Sequence, residues 1–173
     1  TIIILSTFTL GVEAQRICGS ETYLQQNSSL KQQKTSKSLL SKEYISRDTL
    51  TNELINIPVV VHVLYANDAQ NISDEQIKSQ IESLNKDFSY QNEDSKNTPQ
   101  AFKQAAADVH IQFCLAQVDS KGNKTSGIIR KHTSTVNFSA DDKMKFTGAG
   151  GDDAWDSDHY LNIWVCGLTS KSL

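Results

Sequence analysis

The 173-residue sequence has little proline and little glycine, 2 and 8 residues, and neither collects into a run. That excludes a collagen-like chain and argues against one that is disordered throughout. A basic surplus is also missing, with 17 Lys plus Arg against 20 Asp plus Glu and a formal net charge of −3. Without that surplus there is little to neutralise a phosphate backbone, so nucleic acid is not an expected partner. No apolar run reaches the roughly 20 residues of a membrane span. No initiator Met stands before Thr1 and no closing element follows the last apolar segment, so the chain reads as cut at both ends.

Several local signatures of chemistry are missing too. The four histidines, His62, His110, His132 and His159, never stand at the i, i+4 spacing that puts two imidazoles on one metal. No paired-cysteine zinc knuckle, phosphate-binding glycine loop or G-x-S-x-G nucleophile elbow occurs. Taken alone, the residues present contain no catalytic constellation.

What is there begins with an apolar run at Ile2, Ile3, Ile4, Leu5, Phe8, Leu10 and Val12, ending in Val12-Glu13-Ala14. Its length and small-residue end are those of an export signal cleaved after Ala14, so residues 1–14 are assigned to a signal peptide and the product is expected to be secreted. The alternative is a buried strand or helix of the fold. In an oxidising compartment the three cysteines make an odd count. Cys114 and Cys166 lie in strand-like runs and either form a disulfide or pack as small free hydrophobes, which leaves Cys18 over.

Residues 15–56 are rich in Gln, Ser, Lys and Thr with only scattered leucines, too few apolar groups for a core of their own. They read as a linker or an arm that docks on a neighbour, with Arg47-Asp48 a candidate exposed cleavage site. At Ile57 the composition changes sharply. Ile57-Pro58-Val59-Val60-Val61-His62-Val63-Leu64-Tyr65 predicts a strand covered on both faces. Ser73 and Gln76 form a capping box, Ile72 can staple onto Ile77, and Ile77, Ile81, Leu84 and Phe88 continue on one helical face. Thr98-Pro99 predicts a second, shorter helix through Phe102 and Ala105-Ala106-Ala107. Strands are expected over His110–Val118, Gly127–Arg130 and Tyr160–Cys166. The order implies an α/β sheet with a crossover helix after the first strand.

His62, inside an apolar strand, reads as a hydrogen-bonded core histidine, and His159 as solvated. Asp152, Asp153, Asp156 and Asp158 could gather around calcium, but their spacing misses the EF-hand and Asp156 equally suits the cap of a helical turn. Asn27, Asn71, Asn123 and Asn137 begin N-x-S/T sequons, which matter only in a glycosylating host.

Five blocks then agree in order and spacing with one family. Ile57-Pro58-Val59-Val60-Val61-His62-Val63, the segment ending Leu84-Asn85-Lys86-Asp87-Phe88, Ile111-Gln112-Phe113-Cys114-Leu115-Ala116, Gly127-Ile128-Ile129-Arg130, and Asp153-Ala154-Trp155 with Tyr160-Leu161-Asn162-Ile163-Trp164-Val165-Cys166 resemble the pappalysin family of metzincin zinc metalloproteases. Arg16-Ile17-Cys18-Gly19 resembles the start of the pro-segment in its secreted bacterial members.

The resemblance implies a metzincin-like N-terminal subdomain over residues 57–173, a twisted mixed sheet with a backing helix, incomplete at the C-terminus. It implies a pro-segment over 15–56 and a secreted zinc-dependent endopeptidase made as a latent precursor and acting on protein or peptide substrates. The zinc-binding H-E-x-x-H helix would lie beyond Leu173, so no catalytic residue can be assigned here, and the 173 residues alone are expected to be inactive. Cys18 is the implied metal-binding residue, a thiolate that holds the zinc site closed in the precursor. The competing class is a non-catalytic secreted binding or adhesion domain on the same frame.

Overall fold

The computed structural model describes residues 53–139 and 141–169. Among the described residues there are four strands: β1 (Ile55–Tyr65), β2 (Ile111–Leu115), β3 (Ile128–His132) and β4 (Leu161–Val165). An α-helix, α1 (Asp74–Phe88), lies between β1 and β2. Every strand pairs with β1 and every pairing is parallel.

β3 and β4 both pair with Val61, His62 and Val63, so they flank β1 on opposite edges. On one of these edges β2 and β3 follow each other end to end, because Ala116 N–H donates to the Val59 carbonyl and Val61 N–H to the Gly127 carbonyl, both from odd positions of β1. Gly127 sits at the junction with φ +71, and a Cβ there would lie 2.6 Å from the Ala116 nitrogen. No other residue type fits that backbone and that gap.

β1 is long and almost continuously apolar because both its faces are covered. Val59, Val61 and Val63 join Ile77 and Ile81 of α1 and Phe113 of β2 in one core cluster. Val60, His62 and Leu64 alternate to the opposite face and are as fully buried. α1 begins as expected, with the Ser73 hydroxyl accepting the Gln76 N–H at 3.2 Å and Ile72 packed against the same cluster as Ile77. Phe88 closes the helix edge-on against Phe113, ring centroids 4.9 Å apart.

Asn85 explains why the Leu84–Phe88 block carries a polar residue on its packed side. Its amide accepts the Phe113 N–H at 2.7 Å and donates to the Phe113 carbonyl at 2.9 Å. One side chain thereby occupies both backbone groups that Phe113 turns away from β1, and the helix covers that part of what would otherwise be an open strand edge.

Two sequence expectations are corrected. The second helix is only a 3-10 turn, Gln100–Phe102, with Pro99 as its N-cap rather than its first residue; a separate 3-10 turn spans Glu93–Asn97. Phe102 is exposed, so no tertiary packing offsets the cost of ordering a longer helix. The strand expected over His110–Val118 is confined to Ile111–Leu115; His110 has φ 55, and Val118 makes only an isolated antiparallel bridge to Lys124.

Replacing Asn85 with Ala leaves the Phe113 N–H and carbonyl without their partner. We expect a loss of about 2 kcal/mol, on the scale of orphaned part-buried polar groups, measured by urea unfolding of the full-length protein. An unchanged midpoint would show that water serves that edge equally well.

Candidate functional site

The connection between β3 and β4 holds the four aspartates singled out in the sequence, Asp152, Asp153, Asp156 and Asp158, and His159. Its glycines shape it. Gly151 sits against the Met144 carbonyl with no room for a side chain, and the next N–H, of Asp152, donates to that carbonyl at 3.0 Å. This aims Asp152 at the sheet, where its Oδ2 lies 2.7 Å from His62 Nδ1 and its Oδ1 3.1 Å from Lys131 Nζ of β3. Trp164 Nε1 donates to the Asp152 carbonyl at 3.0 Å, so both the backbone and the side chain of Asp152 are held.

His62 has no exposed surface. Its Nε2 lies 3.0 Å from Asn162 Oδ1 and its ring stacks on Trp164, centroids 4.9 Å apart and planes 11° from parallel. The expected hydrogen-bonded core histidine is therefore present. Its partners Asp152, Asn162 and Trp164, and the Lys131 that bonds Asp152, were not identified from the sequence. The available signal was that a buried imidazole needs a partner for each nitrogen, and that the polar positions of the last strand and the Gly-rich loop are where such partners could come from.

The four loop aspartates do not converge. Asp153 accepts the Thr147 N–H at 3.0 Å, and bonds from the Thr147 backbone and hydroxyl hold its carboxyl below the usual carboxylate range. That contribution to loop order is present at neutral pH and is lost as acid protonates the group. Asp156 takes the capping role: its Oδ1 accepts the Asp158 N–H, its Oδ2 meets His159 Nδ1 at 2.7 Å, and the first of these contributes most to its lowered pKa. His159 is exposed, as expected. Among the described residues no three His, Cys, Asp or Glu side chains could hold a metal ion. The described residues thus fit neither the calcium expectation nor a zinc centre, and no catalytic step is routed through them.

Cys114 and Cys166 are both free. Cys114 lies beside Pro58, while Cys166 follows Val165, the partner of Val63, on the other edge. At about 3.3 Å per residue the two are about 20 Å apart along β1, far beyond the ~7 Å that a disulfide tolerates. Nor are they buried hydrophobes: Cys114 is exposed and Cys166 half-buried. Burial pushes the Cys166 thiol up. Cys18 lies outside the described residues.

No family model matches the sequence, and no curated protein does. Solved structures do. The chain is similar to mirolysin in complex with compound 9 and to mature mirolysin of Tannerella forsythia in complex with a cleaved peptide, each at 54% identity over 68% of this chain and 44% of that one, TM-score 0.65. It is also similar to a promirolysin mutant from the same organism, at 46% identity over 83% of this chain and 47% of that one, TM-score 0.70. The chain spans less than half the length of these proteins. The fold is that of a metzincin-like N-terminal subdomain, an α/β layer of parallel strands with one backing helix. Its neighbours are mirolysin and the mirolysin precursor, which supports a metzincin-like protease.

With Cys114 exposed and the Cys166 thiol both half-buried and raised, iodoacetamide is expected to alkylate Cys114 of the folded full-length protein well before Cys166. Peptide mapping after timed quenching checks the order. Equal rates would contradict the placement of β4.

Proposed function

We propose that this chain is the N-terminal part of a secreted, zinc-dependent metalloendopeptidase of the pappalysin type, made as a latent precursor and acting on protein or peptide substrates. The observation that carries the reading is the match to mirolysin, at 54% identity over an α/β layer whose sheet, helix and Asp152–Trp164 segment stand in the same order as the five sequence blocks. The cleaved peptide in a mature mirolysin structure supports peptide as the substrate class. No observation favours the non-catalytic binding domain.

The division into a signal over 1–14, a pro-segment over 15–56 and catalytic-domain residues over 57–173 belongs to the same reading. It is supported by the larger share of this chain matched by promirolysin, 83%, than by mature mirolysin, 68%. A further apolar element would rest on β4, where Val61, Ile77, Ile81, Ile163 and Val165 line an open cavity of about 220 Å³. Zinc would be bound outside the described residues, where it would activate a water for attack on the scissile carbonyl. Cys18 would close that site in the precursor.

Two measurements on the full-length product test this. A protein substrate should be cleaved in a zinc-dependent way that chelator abolishes and zinc restores; cleavage that survives complete metal removal would overturn the metallopeptidase reading. Cys18→Ala should shorten the latent phase of the purified precursor, and an unchanged lag would remove Cys18 from the switch.

A further inference from the structure

The His62 ring faces two hydrogen-bond acceptors. Asn162 is one of them, and its orientation is fixed by main chain. Its Nδ2 donates to the carbonyls of Trp155 at 2.9 Å and Tyr160 at 3.3 Å, while its Oδ1 accepts the Trp155 N–H at 2.8 Å. Flipping the amide would set its NH2 group against that N–H and its oxygen against two carbonyls. The atom 3.0 Å from His62 Nε2 is therefore an acceptor oxygen, and Nε2 must carry a proton.

At the other nitrogen stands Asp152. Its Oδ2 lies 2.7 Å from His62 Nδ1, and its Oδ1 accepts from the Lys131 ammonium at 3.1 Å. A carboxylate only accepts, so Nδ1 must also donate. The ring cannot turn to water, since none of His62 is exposed. Its remaining neighbours are compatible with positive charge. Val60 and Leu64 flank it on β1, Trp164 offers the face of its indole, and Lys145, which pairs with Asp142, lies 5.9 Å from the centroid of that indole.

We propose that His62 is a doubly protonated imidazolium in the folded protein, and that the His62–Asp152–Lys131 charge cluster is the latch that seats the connection between β3 and β4 on the sheet. Removing one proton would leave an acceptor facing an acceptor at 2.7 Å or at 3.0 Å, inside a site that water does not enter. The seating of the Thr133–Tyr160 connection then includes a buried proton among its anchors, beside the Trp164–Asp152 and Asn162–Trp155 bonds. This does not depend on the protease reading, because it rests on the frame alone.

The test is nitrogen NMR of the full-length protein with 15N-labelled histidine at pH 7. The His62 ring is identified by contacts from its carbon-bound protons to the Trp164 indole. Both ring nitrogens should appear as N–H, each with its own one-bond proton correlation. A ring with one unprotonated, pyridine-type nitrogen would overturn the assignment. Asp152→Asn, whose amide can donate to Nδ1, should leave a single N–H on the ring and should expose the 133–160 connection to faster hydrogen exchange. Retention of both protons would rule out Asp152 as the counter-charge, and unchanged exchange would rule out the latch. If that variant does not fold, the wild-type spectrum still decides the charge state.

Discussion

The burial of β1 on both faces and its pairing on both edges is the constraint from which the rest of the structure follows. A strand so placed has no side that can be polar without a partner, and each of its neighbours is positioned by reference to it. β2 and β3 share one edge in tandem, β4 takes the other, and α1 lies on the face made by Val59, Val61 and Val63. Because the pairings are parallel, the returns to β1 at β2 and at β4 each require a long connection across the molecule, while the tandem β2 and β3 are joined by a local loop on their own edge. These connections supply the caps: α1 covers one face, and the Thr133–Tyr160 segment brings Asp152 against the other.

The one polar residue in the middle of this strand shows how such a core tolerates an imidazole. His62 is enclosed by a carboxylate, a side-chain amide and an indole face, with both ring nitrogens engaged. Removing the carboxylate or the amide would leave a nitrogen unpaired on a ring with no exposed surface, which costs more than the hydrogen bond itself contributes. Asn85 solves the matching problem at the sheet edge, where one amide serves both free backbone groups of Phe113.

Elements that rest on repeated local patterns were legible in the sequence. The β-branched run gave β1 to within two residues of its start, and Ser73 with the Ile77, Ile81, Leu84 and Phe88 spacing located α1. The short helix after Pro99 was misread because capping residues announce a start but do not provide the packing that sustains a helix, and Phe102 and the alanines after it have no surface to bury against. The polar cluster was legible only in outline. His62 announced a need for partners, yet Asp152 and Asn162 are 90 and 100 residues away in the chain, and parallel topology, which no local pattern encodes, is what brings them to it. The cysteines show the same limit, since two similar strand-like contexts proved to lie on opposite edges of β1. The resemblance in five ordered blocks reached further than any single motif, and the mirolysin structures agree with it at the level of fold.

If β1 is the spine of this frame, its amides can exchange with solvent only when the whole frame opens. Native-state hydrogen exchange on the full-length protein measures this directly. The amides of Val59 to Leu64 should be the slowest of the four strands, with opening free energies that merge with that of global unfolding, while the outer strands and the connection ending at Tyr160 open at lower cost. Finding that the β1 amides exchange through a local opening while β3 or β4 stays protected would contradict the account.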